Sequence, residues 1–189
     1  MMEWNSGSLN NERLYLREFN ESDWVGVHRY ASQDIVSKYQ VWDSNSEEET
    51  KTFVNQILKD KLKKPRTRYV FAIIIKKDDA LVGAGEINIR DFLNKSGDIA
   101  YIVNPMYWGK GIATEAAKML IGFGFEKLNL HRITAYCNPD NLGSKRVLEK
   151  AGLTQEGKLR ENLLMKNGDW RDSLVYSILD KGKRQINYT

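Results

Sequence analysis

Apolar positions change period several times along the chain, and each change marks an element. Leu14-Tyr15-Leu16-Arg17-Glu18-Phe19 alternates like a short strand, and the capping cluster Asn20-Glu21-Ser22-Asp23 opens a helix able to bury Trp24, Val27, His28, Tyr30 and Ala31 on one face. A second short helix is predicted around Ile35, Val36 and Tyr39. Ser46-Glu47-Glu48-Glu49 has capping-box spacing, with acids where a helix dipole favours them. The helix it opens should bury Phe53, Ile57 and Leu58, run into lysines and stop at Pro65. From Tyr69 to Ile75 the apolar run is continuous, as in a buried strand, and after the turn Lys76-Lys77-Asp78-Asp79 the stretch Leu81 to Ile89 returns as its hairpin partner. Asp91 to Gly97 reads as a loop, Asp98 to Val103 as a strand, and Asn104-Pro105 breaks it.

Past Trp108-Gly109-Lys110-Gly111, apolar residues from Ala113 to Leu128 recur at helical spacing. Arg132 to Cys137 is a further strand. Asn138-Pro139-Asp140-Asn141 opens a helix through Val147 and Leu148 that ends at Gly152, and Asn167-Gly168 joins two final strands as a hairpin. This order predicts an α/β (α+β) fold with a mixed sheet. At 189 residues, with no repeat and no linker, the chain is expected to form one domain over 1–189.

Composition narrows the function. With 41% hydrophobic and 29% charged residues the chain reads as an ordinary globular protein, and no apolar run approaches the roughly 20 residues that cross a bilayer. Met1-Met2-Glu3-Trp4-Asn5 lacks the zones of a signal peptide, so a cytoplasmic location without membrane contact is expected. One cysteine, Cys137, and two distant histidines, His28 and His131, argue against a disulfide framework and predict no metal site. The net charge of +4 is unevenly spread: Lys59 to Arg68 alone carries +5, leaving the remainder at −1. A broad nucleic-acid groove is therefore not expected, although the cluster could dock on a ribosomal or other acidic surface; a solvated helix end is the simpler reading.

The segment richest in chemistry is strand, Asn-Pro break, Gly109-Lys110-Gly111, helix. Glycines there let the backbone approach a ligand, and free N–H groups at the helix start suit a phosphate. By itself this is also an ordinary strand-to-helix turn. Neither the dinucleotide fingerprint, which needs glycine where Thr114 stands, nor the P-loop spacing fits. What does fit is Trp108-Gly109-Lys110-Gly111-Ile112-Ala113-Thr114-Glu115-Ala116, followed by Asn141-Leu142-Gly143-Ser144 and Leu148-Glu149-Lys150-Ala151-Gly152-Leu153. Together these resemble the GNAT superfamily of acyl-CoA N-acetyltransferases, most closely its ribosomal-protein N-terminal acetyltransferase branch of the RimJ/RimL type. Trp108 departs from the family's usual Gln or Arg.

The resemblance implies a GNAT fold, a mostly antiparallel mixed sheet flanked by helices, in which Ile99 to Val103 splays from Ile133 to Asn138 to receive the pantetheine arm of acetyl-CoA. Backbone groups of Ile102 and Val103 would pair with the arm, amides of Gly109, Lys110, Gly111, Ile112 and Ala113 with the adjoining Thr114 would hold the pyrophosphate, Asn138 and Asn141 would stand next to the arm, and the Lys110, Lys145 and Lys150 side chains could meet the phosphates. Many superfamily members carry a tyrosine acid in the helix after Asn141; here Ser144 stands there, as candidate proton donor to the sulfur. Glu86 and Glu161 are the candidate bases, with Asp98 behind them, and Tyr101 could line the acceptor cleft. A covalent route through Cys137 is disfavoured, because neither histidine is placed to pair with it.

An N-acetyltransferase acting by direct attack of a primary amine on the thioester follows as the leading expectation. An α-amine of pKa about 8 is roughly one-tenth neutral at pH 7, so a protein N-terminus needs only a weak base, and it is the expected acceptor. The alternatives are a small-molecule amine such as a polyamine, amino sugar or antibiotic, and a non-catalytic CoA-binding module. The C-terminal hairpin offers an edge on which a homodimer could form.

Overall fold

The computed structural model describes residues 8–180, so the Met1–Asn5 start lies outside the described residues. Eight strands form one sheet: β1 (Ser8–Asn10), β2 (Leu14–Glu18), β3 (Arg68–Ile75), β4 (Ala80–Asp91), β5 (Ser96–Val103), β6 (Arg132–Cys137), β7 (Thr154–Leu164) and β8 (Trp170–Leu179), in the spatial order β1-β2-β3-β4-β5-β6-β8-β7. Five helices flank it: α1 (Trp24–Ala31), α2 (Asp34–Ser37), α3 (Glu47–Lys61), α4 (Ile112–Glu126) and α5 (Leu142–Lys150).

Alternation along the strands gives the sheet two apolar faces. Phe71, Ile73, Ile87, Ile99 and Ile133 pack on one face against Ala116, Ala117 and Leu120 of α4 and Leu148 of α5. Val70, Ala72, Ile74 and Ala84 pack on the other against Val27 and Tyr30 of α1 and Val54 and Ile57 of α3. The expected capping box of α3 forms: the Glu49 N–H donates to Ser46 Oγ, and the Ser46 N–H to the Glu49 carboxylate. Thr50 and Val54 are the fully enclosed residues of that helix, while Phe53 and Leu58 are only half-buried. The helix at Ile35 is a single turn that ends before Tyr39. β1 carries no pattern legible in the sequence, and β5 starts at Ser96, inside the stretch expected to be a loop.

Every strand pair is antiparallel except β5 with β6. That parallel pair touches only from Ser96↔Arg132 to Asp98↔Thr134. Beyond Asp98 the strands part into a V, as the splay of Ile99–Val103 from β6 anticipated. α4 follows β5 and α5 follows β6, so both helices begin at the open end of the V.

The basic segment is not a free patch. Lys61 and Arg66 both reach Glu18 at 2.5 Å, Lys63 reaches Asp60 at 2.6 Å, and Arg68 bridges Asp60 at 3.1 Å and Glu86 at 2.7 Å. Four of its six cations thus bind carboxylates of this chain, two of which come from distant strands. The expectation of a merely solvated helix end is corrected accordingly.

Candidate active site

The turn into α4 depends on its glycines. Gly109 has φ +74° and Gly111, the N-cap, φ +81°, a left-handed conformation that side chains with a Cβ resist. The first amide of α4 to find an intrahelical acceptor is that of Glu115, which donates to the Gly111 carbonyl at 3.1 Å. The N–H groups of Ile112, Ala113 and Thr114 precede it in the first turn and point out of the helix end, where the dipole adds a partial positive charge. Lys110 Nζ bonds the Met106 carbonyl at 3.0 Å and lies over the Tyr107 ring.

Trp108, standing in place of Gln or Arg, turns back on β5: its indole N–H donates to the Val103 carbonyl at 2.6 Å. The register decides which backbone groups of β5 enter the V. The Asn104 N–H donates to the Val82 carbonyl, and a Cβ on Gly83 would run into the Ile102 carbonyl oxygen, so even-numbered residues turn toward β4. The carbonyls of Lys95 and Gly97, by contrast, accept from β6, through the His131 N–H and the Thr134 hydroxyl. Alternation then aims the backbone of Tyr101 and Val103 into the V and that of Ile102 into the ladder with β4. The expectation that the backbone of Ile102 faces the V is corrected: a strand residue presents its amide to one side only, and that of Ile102 faces β4 while that of Tyr101 faces the V.

On the β6 side, Asn138 Oδ1 accepts the Asp140 N–H at 2.8 Å and shapes the turn, and Asn141 Oδ1 caps α5 by accepting the Ser144 N–H at 2.9 Å. Ser144 and Lys145 follow in the first helical turn. Cys137 is buried beside them, and burial pushes its thiol up, which leaves it a neutral wall rather than a nucleophile. Tyr101, reaching from β5, places its hydroxyl 3.1 Å from Ser144 Oγ.

The two candidate bases have different surroundings. Glu86 accepts two bonds from Arg68 on one carboxylate oxygen, at 2.7 and 3.1 Å, and one from Asn88 on the other, at 3.2 Å. Asp98 is likewise held by Arg90 and Asn88. Glu161 sits in the irregular stretch of β7 with φ +49°, its N–H donating to Asp172 Oδ1 at 2.8 Å, and its exposed side chain lines a cleft of about 520 Å³ beside the turn that follows β6. Asn138 lines the same cleft, with Tyr39 and Trp170 as its aromatic walls. Tyr39 Oη reaches the Asp140 carbonyl at 3.4 Å, and Arg171 donates to the Lys38 carbonyl at 3.0 Å, tying the chain after α2 across to β6 and β8.

The cleft walls Tyr39 and Trp170 are absent from the expected set, and so is one residue at the glycine turn. Arg13, in the β1–β2 turn, donates to the Lys110 carbonyl at 2.9 Å and pairs with Glu115, which also accepts from Asn11. Its partners lie about a hundred residues away in sequence, and only Arg13's place beside the first strand hinted at it.

The model of the Acetyltransferase (GNAT) domain family matches residues 13–154. The chain belongs to the GNAT acetyltransferase family. This GNAT acetyltransferase is 35% identical over 173 residues to the uncharacterized N-acetyltransferase YnaD of Bacillus subtilis, covering 92% of this chain and 97% of that protein. Among solved structures it resembles the ribosomal-protein-S5-alanine acetyltransferase of Vibrio fischeri at 26% identity and TM-score 0.79, over 93% of this chain and 97% of that one. It also resembles the Microcin C7 self immunity acetyltransferase MccE, solved with acetyl-CoA and AMP, at 25% identity and TM-score 0.78, over 89% and 93% of the two chains. As a GNAT acetyltransferase it uses acetyl-CoA as co-substrate. Among the described residues no helix is long and apolar enough to cross a membrane, and no group of three or more His, Cys, Asp or Glu is arranged to hold a metal.

Proposed function

We propose that this acetyltransferase carries the acetyl group of acetyl-CoA to the α-amine of a protein N-terminus, of the ribosomal-protein type, in the cytoplasm. The observation that carries this reading is the charge of the cleft: Lys38, Lys158 and Arg171 face Asp140, Glu161 and Asp172, in balance. A polyamine brings only positive charge and calls for an acidic excess, whereas a peptide N-terminus brings one cation and a row of amide dipoles. The name of the Vibrio fischeri neighbour supports the same acceptor class.

In this reading the amides from Gly109 to Ala113, with Thr114, bind the pyrophosphate, and the backbone of Tyr101 pairs with the arm, the Val103 carbonyl being taken by the Trp108 indole. Lys110, Lys145, Asn138 and Asn141 flank it. The Val103 N–H is aimed to polarise the thioester carbonyl. Glu161, through a water, takes the proton from the attacking amine, and Ser144 gives one to the departing sulfur. Glu86 is left to structure, since both its oxygens already accept hydrogen bonds.

A thiol-release screen with acetyl-CoA tests the acceptor. Peptides with a free N-terminus should turn over near pH 8, and the same peptides with a blocked N-terminus and a free lysine should not, because a lysine amine of pKa about 10.4 remains charged. Preferential turnover of spermidine or of an amino sugar would overturn the reading in favour of a small-molecule acceptor; binding of CoA without turnover of any amine would point to a non-catalytic module.

A further inference from the structure

Ser144 stands in the first turn of α5, and a serine hydroxyl is free to turn its hydrogen in several directions. Its surroundings narrow that freedom. The helix cap fixes the backbone, since the Ser144 N–H is bound to Asn141 Oδ1 at 2.9 Å. Tyr101 Oη then approaches from β5, 3.1 Å from Ser144 Oγ and 3.3 Å from the Ser144 carbonyl. The two residues are 43 positions apart and lie on opposite arms of the V, joined across it on the α4 side of the sheet.

We propose that Tyr101 is the positioning residue for the leaving-group acid: it donates its phenolic hydrogen to Ser144 Oγ and so turns the serine hydrogen toward the sulfur of CoA. A tyrosine hydroxyl thus reaches this site from a strand instead of from the helix. The inference rests on the reading of the V as the acetyl-CoA site with Ser144 at the sulfur. Two further observations support it. Burial pushes the Tyr101 hydroxyl well above its ordinary value, so it keeps its proton and can donate at any pH at which the amine is free. The neighbouring Cys137 also hydrogen-bonds the Ser144 hydroxyl, and because burial pushes its thiol up it stays neutral and is a weak acceptor of the serine hydrogen.

The protons balance. As the tetrahedral adduct collapses, the carbon–sulfur bond breaks and sulfur takes the Ser144 hydroxyl proton. Tyr101 keeps its own hydrogen throughout, and Ser144 Oγ is reprotonated through water by the proton that the amine sheds to Glu161.

A double-mutant cycle on the full chain tests this, with turnover read as thiol release and CoA affinity read by tryptophan fluorescence. Tyr101→Phe should lower kcat at least about tenfold while KM for acetyl-CoA and the affinity for CoA move less than about twofold. Ser144→Ala should cost at least as much, Ser144→Thr should retain most of the rate, and Tyr101→Phe added to Ser144→Ala should cost nothing more. The inference is overturned if Tyr101→Phe keeps kcat within about twofold of the parent, or if it costs the same with and without the serine hydroxyl. Should Tyr101→Phe be poorly folded, Ser144→Ala decides alone: an unchanged kcat there overturns the proposal. Gly111→Val separates the two levels. Unchanged CoA affinity in that variant sinks the reading of the V itself, whereas lost affinity beside an unaffected Tyr101→Phe sinks only the role of the tyrosine.

Discussion

Against the α4 face of the sheet, Leu120, Ala116 and Ala117 are fully enclosed, and Gly85 is so close beneath that an added Cβ would stand 3.0 Å from Leu120 Cδ1. On the opposite face, the apolar patch under α1 and α3 is ringed by ion pairs: Arg17 with Asp23, Lys61 and Arg66 with Glu18, Arg68 with Asp60 and Glu86. The first face is held by shape, the second in part by charge. In the proposed function the cofactor end of the V grows out of the first, where main-chain direction would do the binding, and the acceptor cleft is lined by charged side chains, which would decide what enters. A site made of backbone tolerates exchange of its side chains, as Trp108 for Gln or Arg illustrates; a site made of charges changes acceptor with a few substitutions.

The sharpest way to break this contrast is stability. Leu120→Ala removes a fully buried side chain and should cost about 2–5 kcal/mol, whereas Lys61→Met, which removes a half-exposed cation, should cost less than about 1 kcal/mol. Urea unfolding monitored by tryptophan fluorescence measures both. Comparable losses would mean that the ionic rim carries as much of the fold as the apolar face.

How much of this could be read from sequence follows the same line. The strands, the α3 capping box and the glycine turn are local, set within a few residues by period and by the φ that only glycine adopts easily, and they were legible. Three features were not. Whether Ile102 or Tyr101 turns its amides into the V depends on the register with β4, which no local pattern encodes. The contacts of Tyr101 with Ser144 and of Arg13 with Lys110 and Glu115 join residues far apart in the chain. Glu86 and Glu161 both look like surface carboxylates until Arg68 is found on the first and the cleft beside the second.

The next largest effect separates those two carboxylates. Glu161→Gln should lower kcat about a hundredfold with little change in stability, because its side chain is exposed and meets the cleft. Glu86→Gln should do the reverse, lowering kcat less than about tenfold while weakening the grip on Arg68, a measurable loss in the urea midpoint. Steady-state rates beside unfolding curves for the two variants decide it, and a larger rate loss for Glu86→Gln would move the base from β7 to β4.

Smaller still is the effect of the strut under the glycine loop. Arg13 pairs with Glu115, an acid in the first turn of α4 whose free amides the proposed function assigns to the pyrophosphate, and bonds the Lys110 carbonyl. Arg13→Ala should therefore raise the dissociation constant for CoA about tenfold, roughly 1.4 kcal/mol. Adding Glu115→Gln should recover part of it by removing the unpaired negative charge. No recovery in a fluorescence titration of the double variant would mean that Arg13 acts on the loop or the phosphates directly, not by screening the acid.

The smallest expected effect tests the charged face by pH. Burial pushes the Glu18 carboxyl up, but Lys61 and Arg66, both hydrogen-bonded to it, outweigh burial and hold it below its ordinary value. A carboxylate with a depressed folded pKa contributes stability that is fully present above its unfolded value, about 4.3, and is lost as pH falls through the folded one. With its side chain 19% exposed and one partner half-exposed, the contribution is on the order of 1 kcal/mol. Glu18→Gln should therefore be less stable than the parent at pH 7, and the gap should close as pH falls below about 4, because protonation makes the parent resemble the variant. The α4 face, with no carboxylate in its core, predicts the opposite control: the Leu120→Ala deficit should stay nearly constant across the same range. If the Glu18→Gln gap persisted at low pH, shape rather than charge would be holding this corner of the sheet as well, and the contrast between the two faces would be lost there.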